Sequence, residues 1–402
     1  MERVQIKDEV IRYRYNQYGY LEEKLMPGGI STHYQYDKAG RLINMTGKDY
    51  KGIVDELSYG YDAVGNKTLV KKNRRGMAQI NGQYQYSYDS SNRLTEVKKD
   101  GDVLRKYEYD SFGNRTHMEV EGETLIYEYN CLNQLVTMQG KAKREYLYDK
   151  RGNLTDVMES DKILSHYEYD ATNRIIYFTG KNNRLTHYIY NGMGQRVEKI
   201  DGTKKHTYTI DLTRGFNNIM QEDDGKSISS YIWDDGLLAV QKENKNEYCL
   251  RDDLKTPIRY WYYNGNLSDA SDYDEFGNLQ LGEWNEKHMF GFTGYYKEAE
   301  SDTYFAQARE YMPYEGRFAA ADTFGGSLGI PTSLNAYLYC FNNPLLYWDP
   351  LGYYTAEEGD EAHRELQEIF LKEYPLHGRK EFPVNNYEYS ATGQGRIDIL
   401  LL

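Results

Sequence analysis

The chain has 402 residues, 39% of them apolar, with a mean hydropathy of −0.84 and a formal net charge of −13. No run approaches the roughly 18 apolar residues of a spanning helix, which excludes a helical membrane protein. The acidic balance excludes a basic nucleic-acid scaffold, so no nucleic acid is expected as a partner. Disorder is excluded as well. Aromatics are 15% of the chain, 43 of them Tyr against 12 Phe and 4 Trp, so core-forming area sits in rings that hydropathy undercounts.

The first residues, Met-Glu-Arg-Val-Gln-Ile-Lys-Asp-Glu, hold no apolar stretch of a classical secretion signal. That leaves an internal protein, a signal-independent route out, or a chain without its natural beginning. A repeat then starts at Tyr13-Arg-Tyr15-Asn16. Its unit is Tyr-x-Tyr-Asp, two or three residues, Gly-Asn or Asn-Arg, then Leu. Examples are Tyr34-Gln-Tyr36-Asp37, Tyr107-Glu-Tyr109-Asp110 with Gly113, and Tyr167-Glu-Tyr169-Asp170. The Asp/Asn position falls at 16, 37, 62, 89, 110, 130, 149, 170 and 191, in steps of 19 to 27 residues.

The unit predicts a β-hairpin. Two tyrosines two apart share one strand face. Asp opens a turn by accepting a backbone N–H two residues on, and Gly closes it with a positive φ. Leu restarts the apolar alternation. Such hairpins bury their faces by stacking side by side, and the sheet should coil as strands twist. The rival use of the rings is a sugar-binding surface. Variant units follow at Tyr231-Ile-Trp233-Asp234 and Tyr248 to Asp252, and the consensus returns at Asp272 to Leu279. Cys131, Cys249 and Cys340 are too far apart for metal spacing and are expected as small core fillers. No metal and no cofactor is called for.

The nine tandem units resemble the YD repeats of bacterial Rhs proteins and of the shell of animal teneurins. Three later stretches are similar to the Rhs-associated core. They are Phe290-Gly-Phe292-Thr293-Gly294-Tyr295-Tyr296, Ala308-Arg309-Glu310-Tyr311 through Gly316-Arg317-Phe318, and Asn335-Ala336-Tyr337 through Asn343-Pro344 to Asp349-Pro350-Leu351-Gly352. The resemblance covers roughly residues 12 to 352. It implies an all-β fold, hairpins wound into a coiled shell, here with an open, incomplete wall. It divides the chain into a YD-repeat shell at 1–285, a closing core at 286–352 and a variable segment at 353–402.

The resemblance also implies a role: shielding a C-terminal toxin segment, the shell's own cargo, for delivery in bacterial competition. The protein is then secreted or at the cell surface of a bacterium. It further implies self-cleavage near Gly352–Tyr353 by Asp322 and Asp349, with Arg317 nearby. Two close carboxylates cannot both ionise, so one serves as acid while the other activates water. The sequence departs from the family where Asp322 is followed by Thr323 instead of proline. The bland reading makes both aspartates turn residues.

Beyond Gly352 the repeats stop. Ala362, Leu366, Ile369, Phe370 and Tyr374 share one helical face, with Asp360 as N-cap and Pro375 as stop. A strand Arg396 to Leu402 follows a glycine turn. This segment resembles the opening of restriction-endonuclease-like toxin domains, which would make Glu365 and Asp398 the first two metal ligands of that family. No Glu-x-Lys follows, so no nuclease activity is expected of this chain. The competing function is a cell-surface repeat protein for adhesion or carbohydrate. Expected partners are an immunity protein, an upstream portion of the shell, or a second copy through exposed strand edges.

Overall fold

A computed structural model describes residues 3–216, 218–243, 245–262, 264–268, 270–282, 288–323, 325–326, 331–353 and the backbone of 383–384 and 395–396. The helix read at 361–374, and with it Glu365 and Asp398, lies outside the described residues.

Twenty-five antiparallel strands, from Arg3–Ile6 to Pro257–Tyr262, form one meandering ladder in which each strand pairs with the one before and after it. The repeat explains its regularity. In most units the first tyrosine is buried, as at Tyr107, Tyr127, Tyr146, Tyr167 and Tyr188, and the intervening residue is the more exposed one, while Tyr34 is half-buried. In five units the half-buried second tyrosine clasps the unit behind it: Tyr61, Tyr88, Tyr109, Tyr129 and Tyr190 donate their hydroxyls to the carbonyls of Leu42, Lys67, Leu94, Arg115 and Ile175, whereas the buried hydroxyls of Tyr148 and Tyr169 make no such bond.

The turns follow the expected chemistry. Asp110 Oδ1 accepts from the N–H groups of Phe112 and Asn114, both at 2.9 Å, and Oδ2 accepts from the Asn114 side chain. Gly113 supplies φ 82° three residues on, where Leu338 leaves no room for a Cβ without a shift. Asn133 and Asn173 adopt the same left-handed backbone in their own units, which Asn tolerates through local hydrogen bonding. Asp110→Ala strips three hydrogen bonds from one turn and is expected to cost about 1–3 kcal/mol in urea unfolding. Asp110→Asn should cost less, because Asn130 and Asn191 make the same backbone bonds, and only the bond to the Asn114 side chain is lost.

All these turns lie along one rim of the sheet. The opposite rim carries the other hairpin tips, such as Asp100–Gly101 and Asp201–Gly202. The ladder coils until its ends meet face to face. Ile11, Met26, Ile30 and Val54 pack with Leu238, Tyr248 and Trp261. Tyr13 and Lys24 both donate to Asp234 at 2.9 Å, and Trp261 Nε1 donates to the Pro27 carbonyl. The wall is thus closed by side chains, while Arg3–Ile6 pairs on one side only among the described residues.

The unit at Asp272 leaves the ladder. Its strands Asp272–Tyr273 and Leu279–Leu281 pair only with each other, and the turn between them drives Glu275 and Phe276 against the inner wall. With the four-stranded sheet from Tyr296–Glu298 to Arg317–Phe318, this hairpin forms a plug inside the coil. Five acids of the plug meet the wall: Asp272 with Lys72 and Arg74, Glu275 with Arg105, Glu298 with Arg196 and Lys199, Glu310 with Arg196, and Glu315 with Tyr146. Of the cysteines, Cys249 and Cys340 are buried, but Cys131 is exposed at a turn tip, where no core is available to it.

Candidate functional site

The plug ends in a segment that runs back along the turn rim. Asn335 donates to Asn114 Oδ1 at 2.7 Å, Asn342 to the Gly113 carbonyl, Asn343 to Asn66 Oδ1, and the Tyr337 hydroxyl to the Gly152 carbonyl. These contacts fix both aspartates of interest. Asp322 is placed by its own N–H on the Ala336 carbonyl, and Asp349 by the Tyr295 hydroxyl on its carbonyl oxygen.

Between them lies Arg309. Its Nη2 is 2.8 Å from Asp322 Oδ2 and 3.7 Å from Asp349 Oδ2. The same guanidinium donates through Nε to the Gly352 carbonyl and through Nη2 to the Tyr353 carbonyl at 3.3 Å. It also donates to the Ala336 carbonyl at 2.9 Å and lies over the Phe318 ring. Asp349 Oδ1 accepts from the N–H groups of Leu351, Gly352 and Tyr353, at 3.2, 2.8 and 3.2 Å. Asp349 is 2% exposed. Burial pushes its carboxyl up to about 7, helped by the charge of Asp322 and opposed by Arg309 and the Gly352 N–H.

The structure therefore brings Asp322, Asp349 and the Gly352–Tyr353 peptide together. It does not bring Arg317. That guanidinium lies between the rings of Tyr129 and Tyr337 and donates to the Asn133 carbonyl, which makes it a link between plug and wall. The reason is strand register: Arg317 pairs opposite Met312 in the plug sheet and faces the wall. Arg309 was missed because the Ala-Arg-Glu-Tyr stretch carries no local mark of chemistry. Its signal is a pair of adjacent opposite charges, Arg309 and Glu310, both buried beside Ala308 and Tyr311. Thr323 after Asp322 does not prevent the contact with Arg309.

The repeat tyrosines form no exposed row. Tyr34 and Tyr36 line a cavity of about 220 Å³ between the first and last strands of the coil, with Lys24, Asp55 and Arg251. Tyr107 meets Phe276 edge-on at 5.3 Å, Tyr109 is clasped to Leu94, and Tyr167 and Tyr169 face the plug side of the wall. Asp37 and Asp170 each cap their own turns and bind Arg41 and Arg174. No group of metal-binding side chains occurs among the described residues, and no described helix is long and apolar enough to cross a membrane.

Residues 54–345 match the family model described as Teneurin YD-shell. The tRNA3(Ser)-specific nuclease WapA of Bacillus spizizenii is 29% identical over 292 residues, covering 67% of this chain and 12% of that protein. Toxin protein Tse5 of Pseudomonas aeruginosa is 22% identical over 383 residues, covering 79% of this chain and 28% of that one. Mouse Teneurin-3 is 22% identical over 332 residues, 77% of this chain and 12% of its own length. Among solved structures, a crystal structure of TcdB2-TccC3-TEV superposes with a TM-score of 0.63 at 17% identity, over 87% of this chain and 20% of that one. The chain thus spans well under a third of the length of each of these relatives.

Proposed function

The chain belongs to the Teneurin YD-shell family, and on that premise we propose that it forms the plugged closing turn of a toxin shell and cuts itself after Gly352. In this reading residues 1–285 are the wall, 286–352 the closing core, and 353–402 the cargo that is released. The site of action is outside the producing bacterium, at a surface or after secretion. The plug fills this turn of the coil, and the 220 Å³ cavity has room for a few waters but not for a protein segment. The single-sided Arg3–Ile6 edge is where an upstream strand or a second copy would add.

The observation that carries the reading is Arg309 holding two carboxylates and the Gly352 carbonyl at once. A water attacks the Gly352 carbonyl carbon as Asp322 takes its proton. Arg309 Nε, already donating to the carbonyl oxygen, stabilises the oxyanion. The Gly352–Tyr353 bond breaks, and the Tyr353 nitrogen, pyramidal once the water has added, takes the proton that Asp349 carries on Oδ2, its Oδ1 being occupied by three N–H donors. The products are a Gly352 carboxylate and a new amino terminus at Tyr353.

Asp349 must be protonated at the start, and its pKa is about 7. Its protonated fraction falls as pH rises through that value, so cleavage at pH 6 is expected to exceed that at pH 8 by about tenfold. A time course of the freshly folded chain on denaturing gels at the two pH values checks this. A faster rate at pH 8 rules out Asp349 as the acid.

A further inference from the structure

Near the seam of the coil one row of the inner face is polar. Lys24, Thr32, Gly47, Asp55 and Arg74 stand directly opposite one another across five strands, so they share that face. In the next row Tyr34, Met45 and Leu57 present rings and aliphatic chains. Both rows line the 220 Å³ cavity between the first and last strands. Glycine in the middle of the polar row is not required by crowding. A Cβ at Gly47 would meet the Asp55 carbonyl oxygen at 3.6 Å and Thr32 Oγ1 at 4.0 Å, both ordinary contacts. What glycine does there is leave space above a polar floor.

That floor is short of hydrogen bonds. Both Asp55 oxygens and Arg74 Nε are buried without a hydrogen-bond partner. Arg74 Nε is 3.9 Å from Asp55 Oδ1 and Arg259 Nε is 3.6 Å from Oδ2, in ion-pair range but too long for hydrogen bonds. The Thr32 and Tyr34 hydroxyls beside them also have no partner among the described residues. Deeper in the coil such inner groups are answered by the plug, as Arg105 is by Glu275 and Lys199 by Glu298. Asp55 receives no such answer.

Unmet donors and acceptors on one floor call for a ligand that offers both. Charge narrows the class. Four cationic and four acidic side chains line the cavity, so neither an anion nor a cation is favoured there. Hydroxyl groups suit it, since each donates to a carboxylate oxygen and accepts from a guanidinium N–H. Met45, Leu57 and Ile258 supply apolar wall for the carbon face of such a molecule. At roughly 30 Å³ per water the space is that of about seven waters, which one sugar ring fills and two do not. Asp235, with its side chain 61% exposed, stands at the lip, and Arg74, at 2%, at the floor. We propose that the seam cavity binds a single neutral hexose, its hydroxyls on Asp55, Arg74, Thr32 and Tyr34.

The test is equilibrium dialysis of the full chain against radiolabelled glucose, galactose and mannose, each alone, and against inorganic phosphate. Saturable binding of one molecule per chain is expected for at least one hexose and not for phosphate. Gly47→Leu fills the cavity and should abolish that binding without lowering the thermal transition. Thr32→Val removes one hydroxyl at constant shape and should weaken binding about fivefold, the worth of one neutral hydrogen bond. If Gly47→Leu does not fold, Thr32→Val decides. No binding of any hexose overturns the proposal and leaves the cavity to water. Saturable phosphate binding overturns it in favour of an anion site. Hexose binding that neither variant changes places the sugar elsewhere and overturns it too. None of these readouts passes through Asp349, so the outcome is independent of whether the chain cuts itself.

Discussion

Asp349→Asn is expected to leave the purified chain as a single intact band, where the parent chain yields a fragment of about 50 residues beginning at Tyr353. Asn has the shape to keep the three backbone hydrogen bonds at Oδ1 but has no proton to give the Tyr353 nitrogen. Loss of a positioned general acid costs typically about 10²–10⁴-fold in rate. Asp322→Asn should be as severe, since no group then takes the proton of the attacking water. Intact-mass measurement after folding distinguishes the outcomes. Cleavage at the parent rate in either variant would refute the two-carboxylate site, and an uncut parent chain at pH 6 would refute self-cleavage.

Glu298→Ala is expected to be the most destabilising of the wall-to-plug changes. Glu298 has no exposed surface and accepts from both Arg196 and Lys199, the latter at 2.6 Å, and from the Tyr188 hydroxyl at 3.2 Å. Its removal leaves Arg196 facing Glu310 alone. Burial still opposes ionisation of Glu310 once the Glu298 charge is gone, and Lys199 is left with the more exposed Glu300. Breaking one partner of a buried network costs about 3–5 kcal/mol. Glu119→Ala, in an exposed pair with Lys106, should cost less than about 1 kcal/mol. Urea unfolding of the two variants checks the contrast, and equal costs would mean the plug is not anchored through Glu298.

The wall was legible because its repeat states its own geometry. Tyr-x-Tyr fixes the face, Asp the turn and Gly or Asn the positive φ, and each is a local rule that the structure keeps at Tyr107 to Gly113. The plug was less legible. The unit at Asp272 has the same letters, yet its Glu275 and Phe276 are drawn to Arg105 and Tyr107 nearly 170 positions earlier. No local pattern encodes that pairing. Motif likeness named the two aspartates that meet in the structure, but the arginine it set beside them was Arg317, whereas the one that lies between them is Arg309. Arg309 precedes the strand Glu310–Met312 and Arg317 opens its neighbour Arg317–Phe318, and only the way these strands pair decides which side chain turns to Asp322.

The tyrosine clasps have a direction. In each case the hydroxyl reaches backward, from a later unit to a carbonyl made earlier. As a chain leaves the ribosome, each of these five tyrosines finds its acceptor already in place. Assembly can then proceed by short-range steps, each laid on a finished edge, which keeps early contacts local and fast to form. The plug, encoded last, arrives when its walls are standing.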